Sequence, residues 1–254
     1  MKIRNIRRTV VITGGNRGIG EAITKAFWEE GYHVLIGAGS DTKLAGQLGK
    51  RVRFQKMDVR LESNHRNLVK TSVKWTGRLD VFINCAGFSE WRPVNEVDLD
   101  FWNKMIDTNL KGTFWGCKVA AESLSKGGCI INISSLAGKR GSSNNSVYCA
   151  SKFGINGLTQ ALAKELGAKG IRVNAVCPVY IQTKGLMEAL SDKRSPAEGE
   201  DIESYLEKFA AENAALKRLP TGDEVAEICL FLASHKASAI TGQCINVDCG
   251  VLPQ

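Results

Sequence analysis

The chain has 254 residues, enough for one large domain or two small ones with a sizeable core. With 43% hydrophobic and 24% charged residues, 26 glycines and only 5 prolines, the composition is that of a globular protein and excludes a fibrous or low-complexity chain. A net charge of +8 permits acidic or phosphorylated partners, but acidic residues interleave with the basic ones throughout, so no nucleic-acid partner is expected.

No run of about 18 apolar residues occurs, and no membrane span is expected. The opening residues Met1-Lys2-Ile3-Arg4-Asn5-Ile6-Arg7-Arg8 are basic and lead straight into an apolar run. Lacking an apolar h-region and a small-residue cleavage site, they do not read as a secretory signal, and the cytoplasm is the expected address. The 8 cysteines are scattered without a Cys-x-x-Cys, which favours buried free thiols, and the 3 histidines are isolated, which leaves no metal-ligand spacing.

Residues 10–13 read as a short buried strand, followed by the turn Gly14-Gly15-Asn16-Arg17-Gly18-Ile19-Gly20 and a helical pattern that stops at Gly31. Strand, glycine turn and helix make the first unit of a nucleotide-binding βαβ fold, in which glycines let the backbone approach a pyrophosphate and the helix N-terminus offers free N–H groups. The spacing of Gly14, Gly18 and Gly20 is longer than G-x-G-x-x-G. Strands follow at 33–37, 52–56 and 79–83, with a helix at 63–76 between the last two. A long helical stretch covers 98–126, then come a strand at 129–133, a polar loop at 134–145, a helix at 146–169 and a strand at 172–176. Asp223 is the expected cap of a helix ending at Ala233, and 244–247 is a final strand.

This alternation predicts an α/β fold, a single-domain Rossmann-type doubly wound parallel sheet with helices on both faces, over residues 1–254. The polar and charged segment 185–218 interrupts the pattern where such a sheet keeps its ligand crevice. It is expected to be either a substrate lid or a passive surface excursion.

Within the 146–169 helix, Tyr148 and Lys152 are four residues apart and share a face. Held together in a cleft, the ammonium favours the tyrosinate and draws the phenol from about 10 towards neutrality, which makes a proton donor and acceptor at physiological pH. Taken alone the spacing is common on helices, so its meaning rests on the rest of the chain.

The motifs Thr13-Gly14-Gly15-Asn16-Arg17-Gly18-Ile19-Gly20, Asp58-Val59, Asn84-Cys85-Ala86-Gly87, Thr108-Asn109-Leu110, Ser135, Tyr148-x-x-x-Lys152 and Pro178 to Thr183 occur in that order. Together they resemble the short-chain dehydrogenase/reductase family, in the branch that includes 3-oxoacyl-acyl-carrier-protein reductases. The resemblance implies hydride transfer between a nicotinamide and a carbonyl/alcohol pair, with Asn109, Ser135, Tyr148 and Lys152 in the four catalytic positions. It implies that Gly14, Asn16, Arg17, Gly18, Ile19 and Gly20 form the cofactor turn, that Asp58 and Val59 meet the adenine, and that Asn84, Ala86 and Gly87 stabilise the strand beside the cofactor. Tyr148 and Lys152 would also touch the cofactor, and Pro178, Ile181 and Thr183 would surround the nicotinamide amide. Two departures from the family pattern are Cys85, in place of a second Asn, and Val179, in place of a Gly.

In the roles so implied, Tyr148 exchanges a proton with the substrate oxygen, Lys152 lowers the Tyr148 pKa and binds the ribose, Ser135 holds the developing alkoxide, and Asn109 holds a water that relays protons. For Asn109, an amide that satisfies backbone groups inside a helix is the competing reading. The end of the second strand, Ile36-Gly37-Ala38-Gly39-Ser40-Asp41, carries no carboxylate at its tip. Arg17 and Ser40 are placed to meet a 2′-phosphate, so NADP(H) is favoured, with NAD(H) open because Asp41 lies close by.

Phe88, Trp91 and Arg92, with 185–218, are expected to shape the substrate pocket. A 3-oxoacyl thioester is the leading substrate and acyl carrier protein the matching partner. A keto-sugar or polyol dehydrogenase is the alternative, and a non-catalytic nucleotide sensor a further one. The family resemblance also implies a homotetramer built through 98–126 and 146–169, where Ala150, Phe153, Leu158, Ala161 and Leu162 supply small and bulky side chains.

Overall fold

Five of the seven strands, β1 (Thr9–Thr13), β2 (His33–Ala38), β4 (Val81–Asn84), β5 (Cys129–Ile133) and β6 (Arg172–Pro178), are almost wholly buried apolar runs. Such strands stay dry only with layers on both faces. In the computed structural model, which describes residues 8–253, they join β3 (Val52–Lys56) and β7 (Cys244–Val247) in one parallel sheet of order β3-β2-β1-β4-β5-β6-β7. The basic segment 1–7, excluded above as a secretory signal, lies outside the described residues.

Side-chain alternation sorts the two faces. Val10, Ile12, Val34, Ile36, Ile83 and Ile131 pack with helices α1 (Gly18–Glu29) and α9 (Gly222–Ala233). Val11, Leu35, Phe82, Ile130 and Val173 face the opposite layer of α3 (Glu62–Thr76), α5 (Gly112–Ser123) and α6 (Ser146–Gly167). The result is the doubly wound single domain expected from the sequence. Strand order reverses between β1 and β4, so the crevice opens at the carboxyl ends of β1, β4, β5 and β6, where Thr13, Asn84, Ile133 and Pro178 stand.

Four expectations about elements change. A short helix α2 (Leu44–Leu48) follows β2 where none was read. The helical stretch 98–126 is α4 (Leu99–Ile106) and α5, joined by a π-helical turn at Asp107–Lys111. Thr221, not Asp223, caps α9: its hydroxyl accepts from Glu224 N while the Glu224 carboxylate accepts from Thr221 N at 2.9 Å. Such a reciprocal cap is worth about 1 kcal/mol.

The fourth change concerns 185–218. It holds α7 (Lys184–Leu190) and α8 (Ile202–Asn213), capped by Thr183 and Asp201. Its apolar underside, Leu190, Ala197 and Leu206, closes over Trp91. Trp91 is therefore interior to this unit and does not line the crevice; only 3% of its surface is exposed. Among the described residues, no helix is long and apolar enough to cross a membrane.

Candidate active site

The site begins with the approach of two chain turns. Thr13 ends β1, and its hydroxyl accepts from the backbone N–H groups of Cys85 and Ala86, at 3.1 and 3.2 Å. This draws the turn after β4 so close that a Cβ on Gly14 would stand 2.8 Å from the Ala86 Cα. Position 85 is thus used through its backbone, and the Cys85 side chain packs against the core. Thr13 was legible only as part of the glycine motif, because a threonine at a strand end is otherwise unremarked.

The first turn of α1 rises directly from this contact. Its N-cap residue, Arg17, makes no side-chain cap, so the leading N–H groups of α1 face the crevice without a protein side chain on them. A Cβ on Gly20 would run into the Gly14 carbonyl oxygen, and one on Gly18, at φ +53°, would stand 3.2 Å from Thr183. The sequence-predicted residues Gly14, Gly18, Gly20 and Thr183 therefore converge on one uncapped helix end. That cradle, which side chains would fill, fits a pyrophosphate.

At the tip of β2, Ala38 and Gly39 offer no carboxylate. Asp41 is held locally, its carboxylate accepting from Lys43 N at 2.8 Å and pairing with Lys43 Nζ at 3.6 Å. Arg17 and Ser40 are exposed beside the turn. Among the described residues the Arg17 guanidinium makes no ion pair.

Several expected cofactor residues use their side chains elsewhere. Asn16 Nδ2 donates to Ser40 O at 2.5 Å and ties the glycine turn to the end of β2. Asn84 is buried at 3% exposure and donates to Asn132 Oδ1 at 2.9 Å, pointing away from the crevice into the α5 layer. Ile181 packs in the core with β1 and α1. Only the backbone of these three residues remains for a ligand. Asp58 forms a paired contact with Arg60, at 2.6 Å, whose hydrogen bonds hold the carboxyl below its usual range; Val59 backs onto Gly112. Val179 fits the apolar group of Leu136, Cys177 and Phe209, which accommodates the residue in place of glycine.

Across the crevice, Ser135 follows β5 in extended backbone, its hydroxyl accepting from Ala137 N at 3.1 Å to start the 3₁₀ turn Leu136–Gly138. That turn lies on α6 so closely that a Cβ on Gly138 would stand 2.7 Å from the Lys152 carbonyl oxygen. The Ser135 hydroxyl thereby comes into hydrogen-bonding reach of the Tyr148 phenol. Tyr148 leans on Phe101, Met105, Val147 and Phe88. Phe88 packs on the same cluster, and the Arg92 guanidinium lies over the Phe101 ring at 4.1 Å while pairing with Glu90 and Asp98.

Lys152 corrects one expectation. Its Nζ donates to Ile133 O at 2.9 Å and stands 5.5 Å from the centre of the Tyr148 ring. Its charge does not bring the phenol towards neutrality here. Burial pushes Tyr148 up to about 12, opposed by the hydrogen bond from Ser135, and burial pushes the Lys152 ammonium down to about 8.

Asn109 lies in the π-helical turn. Its amide both donates to Phe88 O at 2.9 Å and accepts from Phe88 N at 3.1 Å, the reading in which it satisfies backbone groups. Gly87 is pinned between them: a Cβ there would stand 3.0 Å from Asn109 Oδ1 and 4.0 Å from Lys152 Nζ. Ser135, Tyr148, Lys152 and Asn109 are thus brought to one side of the crevice, opposite the glycine cradle. Sequence reasoning missed Ser134, whose hydroxyl donates to Lys152 O at 3.3 Å, and Asn132, which bonds Thr159 at 2.9 Å. Asn132 is a polar residue inside a strand reading as apolar and Ser134 follows that strand directly, which was the available signal.

The family model described as Enoyl-(Acyl carrier protein) reductase matches residues 14–252. The chain is 34% identical over 255 residues to a protein from Chlamydia muridarum (strain MoPn / Nigg) named 3-oxoacyl-[acyl-carrier-protein] reductase FabG, with 97% of this chain and 98% of that protein covered. Among solved structures, a short-chain dehydrogenase/reductase from Brucella melitensis, described as a glucose/ribitol dehydrogenase, superposes with a TM-score of 0.89 at 30% identity, covering 100% of both chains. The structure described as ElxO with NADP bound superposes with a TM-score of 0.85 at 32% identity, covering 98% of this chain and 100% of the other.

Proposed function

The chain belongs to the short-chain dehydrogenase/reductase family, an NAD(P)-dependent oxidoreductase acting on carbonyl and alcohol groups, and from that premise we propose that it is an NADP(H)-dependent reductase of 3-oxoacyl thioesters. The observation that carries the reading is the meeting of Ser135 and Tyr148 opposite the uncapped, glycine-lined start of α1. A nicotinamide bound there supplies or accepts the hydride.

The chain's own residues do the rest. Tyr148, protonated throughout the physiological range, gives its proton to the substrate oxygen as negative charge develops there. Ser135 donates to the same oxygen and holds it against the phenol. Lys152 exchanges its bond to Ile133 for the ribose hydroxyls, bringing its positive charge beside Tyr148. Asn109 fixes Phe88 and the wall beside Lys152, and a proton relay passes along that wall. Gly14, Gly18, Ile19, Gly20 and the backbone of Asn16 cradle the pyrophosphate. Asp58 and Val59 border the adenine, the turn at Asn84, Ala86 and Gly87 stabilises the strand beside the cofactor, and Pro178, Ile181 and Thr183 bound the nicotinamide. Arg17 and Ser40 at the carboxylate-free tip of β2 select the 2′-phosphate.

The segment 185–218 acts as the substrate lid, with α8 facing the crevice. Exposed Trp102, Phe114 and Phe153 on α4, α5 and α6 support a homotetramer joined through these helices, which sedimentation equilibrium tests. The cytoplasm is the matching location, and acyl carrier protein the matching partner. A keto-sugar or polyol dehydrogenase is the second reading, favoured by the likeness to the Brucella protein. A purely nucleotide-sensing protein has no use for the paired Ser135 and Tyr148. The deciding experiment is NADPH consumption with an acetoacetyl thioester against a panel of keto-sugars. Faster turnover of the thioester supports the reading, and faster turnover of a sugar replaces it. Tight NADPH binding with no turnover of any carbonyl favours the sensor.

A further inference from the structure

The loop 57–61 leaves β3 at the carboxyl edge of the sheet, tied to the tip of β2 by Met57 N, which donates to Ala38 O at 2.9 Å. Its polar groups are nearly all engaged within the chain. Asn64, in the first turn of α3, accepts from Asp58 N at 3.0 Å through Oδ1. Arg60 N donates to Asp58 Oδ1 at 2.9 Å, and Leu61 N to Asp58 O at 3.2 Å. The Val59 carbonyl accepts from His65 Nε2 at 2.8 Å and abuts Gly112, where a Cβ would stand 3.1 Å from the Val59 oxygen. Among the described residues, the Val59 N–H is the one main-chain donor of 58–61 without a hydrogen bond.

His65 reaches that carbonyl from inside the fold. It is fully buried, and its ring lies 6.4 Å from that of Phe82 between centroids. Because a carbonyl oxygen only accepts, Nε2 carries the proton and Nδ1 is left as a bare acceptor, buried without a partner. Burial depresses the pKa of the ring, which favours this neutral form. A leucine would fill the space without an orphaned acceptor. What the imidazole adds over a hydrocarbon is its one hydrogen bond. The peptide that carries the Val59 N–H is thereby held between two fixed neighbours, Asp58 N on Asn64 and Val59 O on His65. Its own carbonyl, Asp58 O, turns to Leu61 N, so the trans peptide sends the Val59 N–H the opposite way.

We propose that His65, acting with Asn64, is a positioning residue that gives the cofactor site its selectivity for adenine over other purines. The free Val59 N–H is a donor, and the Asp58 carboxylate, held on the same loop by Arg60, is an acceptor. Adenine presents the complementary pair, a ring nitrogen that accepts beside an amino group that donates. Hypoxanthine presents the reverse, a ring N–H beside a carbonyl. Against a fixed loop the reversed pattern sets donor on donor and acceptor on acceptor, and a loop free to turn loses that discrimination. This role rests on the cofactor reading above for the presence of a base at Asp58 and Val59.

The test is calorimetric binding, without substrate, of whichever of NADPH and NADH binds more tightly, against its hypoxanthine counterpart. The wild-type protein is expected to favour the adenine form by about ten- to a hundredfold, the ratio that one or two hydrogen bonds support. In His65→Leu that ratio falls to within about threefold of one. In His65→Gln, whose amide can still donate to Val59 O, most of it is retained. A purely structural role would weaken both dinucleotides alike and leave the ratio where it was. No adenine preference in the wild-type protein, or a ratio unchanged in His65→Leu, overturns the assignment. Should His65→Leu not fold, Asn64→Ala, at a partly exposed position, decides: a ratio at least about threefold lower sustains it, and an unchanged ratio rejects it. Tight binding with no turnover of any carbonyl removes the reductase reading alone, and the ratio still decides the role of His65. Binding of neither dinucleotide overturns both.

Discussion

Lys152 Nζ hydrogen-bonds the Ile133 carbonyl at 2.9 Å, although Tyr148 is its neighbour one helical turn away. The bond holds a buried ammonium whose pKa is brought down to about 8 from 10.5 by desolvation, with Cys85 and Cys177 opposing the shift. The unfolded chain keeps this proton up to about 10.5, whereas the folded chain releases it near 8. Folding therefore expels a proton between those values, and the stability cost of the ammonium is full below pH 8 and gone above 10.5. Lys152→Met is expected to raise unfolding free energy by about 2 kcal/mol at pH 6, an advantage that fades from pH 8 upward. Chemical denaturation at several pH values measures it.

Arg17 stands exposed beside an uncapped helix start and a β2 tip without a carboxylate. Arg17→Ala is expected to raise the Michaelis constant for NADPH by about tenfold or more, since it removes a charge-assisted bond to the 2′-phosphate, and to leave that for NADH nearly unchanged. Parallel kinetics with the two cofactors check this. Equal effects on both would remove Arg17 from cofactor choice.

Gly20 has no room for a methyl group, because the Gly14 carbonyl occupies the place of its Cβ. Helix propensity favours alanine here by about 1 kcal/mol, yet backbone displacement costs more. Gly20→Ala is expected to lose about 2 kcal/mol of stability and to weaken NADPH binding. Thermal unfolding with and without NADPH separates the two effects.

The sheet was legible because β1, β2, β4, β5 and β6 are buried on both faces and so read as unbroken apolar runs. Helices α7 and α8 were not, because the charged and Pro-bearing stretch Ser191-Asp192-Lys193-Arg194-Ser195-Pro196 between them dominates the segment, even though Thr183 and Asp201 are ordinary N-caps. The π-helical turn at Asp107–Lys111 was hidden since one wide turn leaves the surrounding helical period intact. At the site, the spacing of Tyr148 and Lys152 predicted a shared face but not the direction of a flexible four-carbon side chain, which a backbone carbonyl captured. Asn84 and Asn16 illustrate the same limit: motif position identified them as belonging near the crevice, while Asn132 and Ser40 determined where their amides point.

The most direct measurement is the rate of NADPH oxidation by Tyr148→Phe with the best carbonyl found for the wild-type protein, alongside NADPH affinity. The phenol is the proton donor in this account, so kcat is expected to fall by about a hundred- to ten-thousandfold with NADPH affinity retained. A variant that keeps wild-type kcat would contradict the assignment of proton delivery to Tyr148.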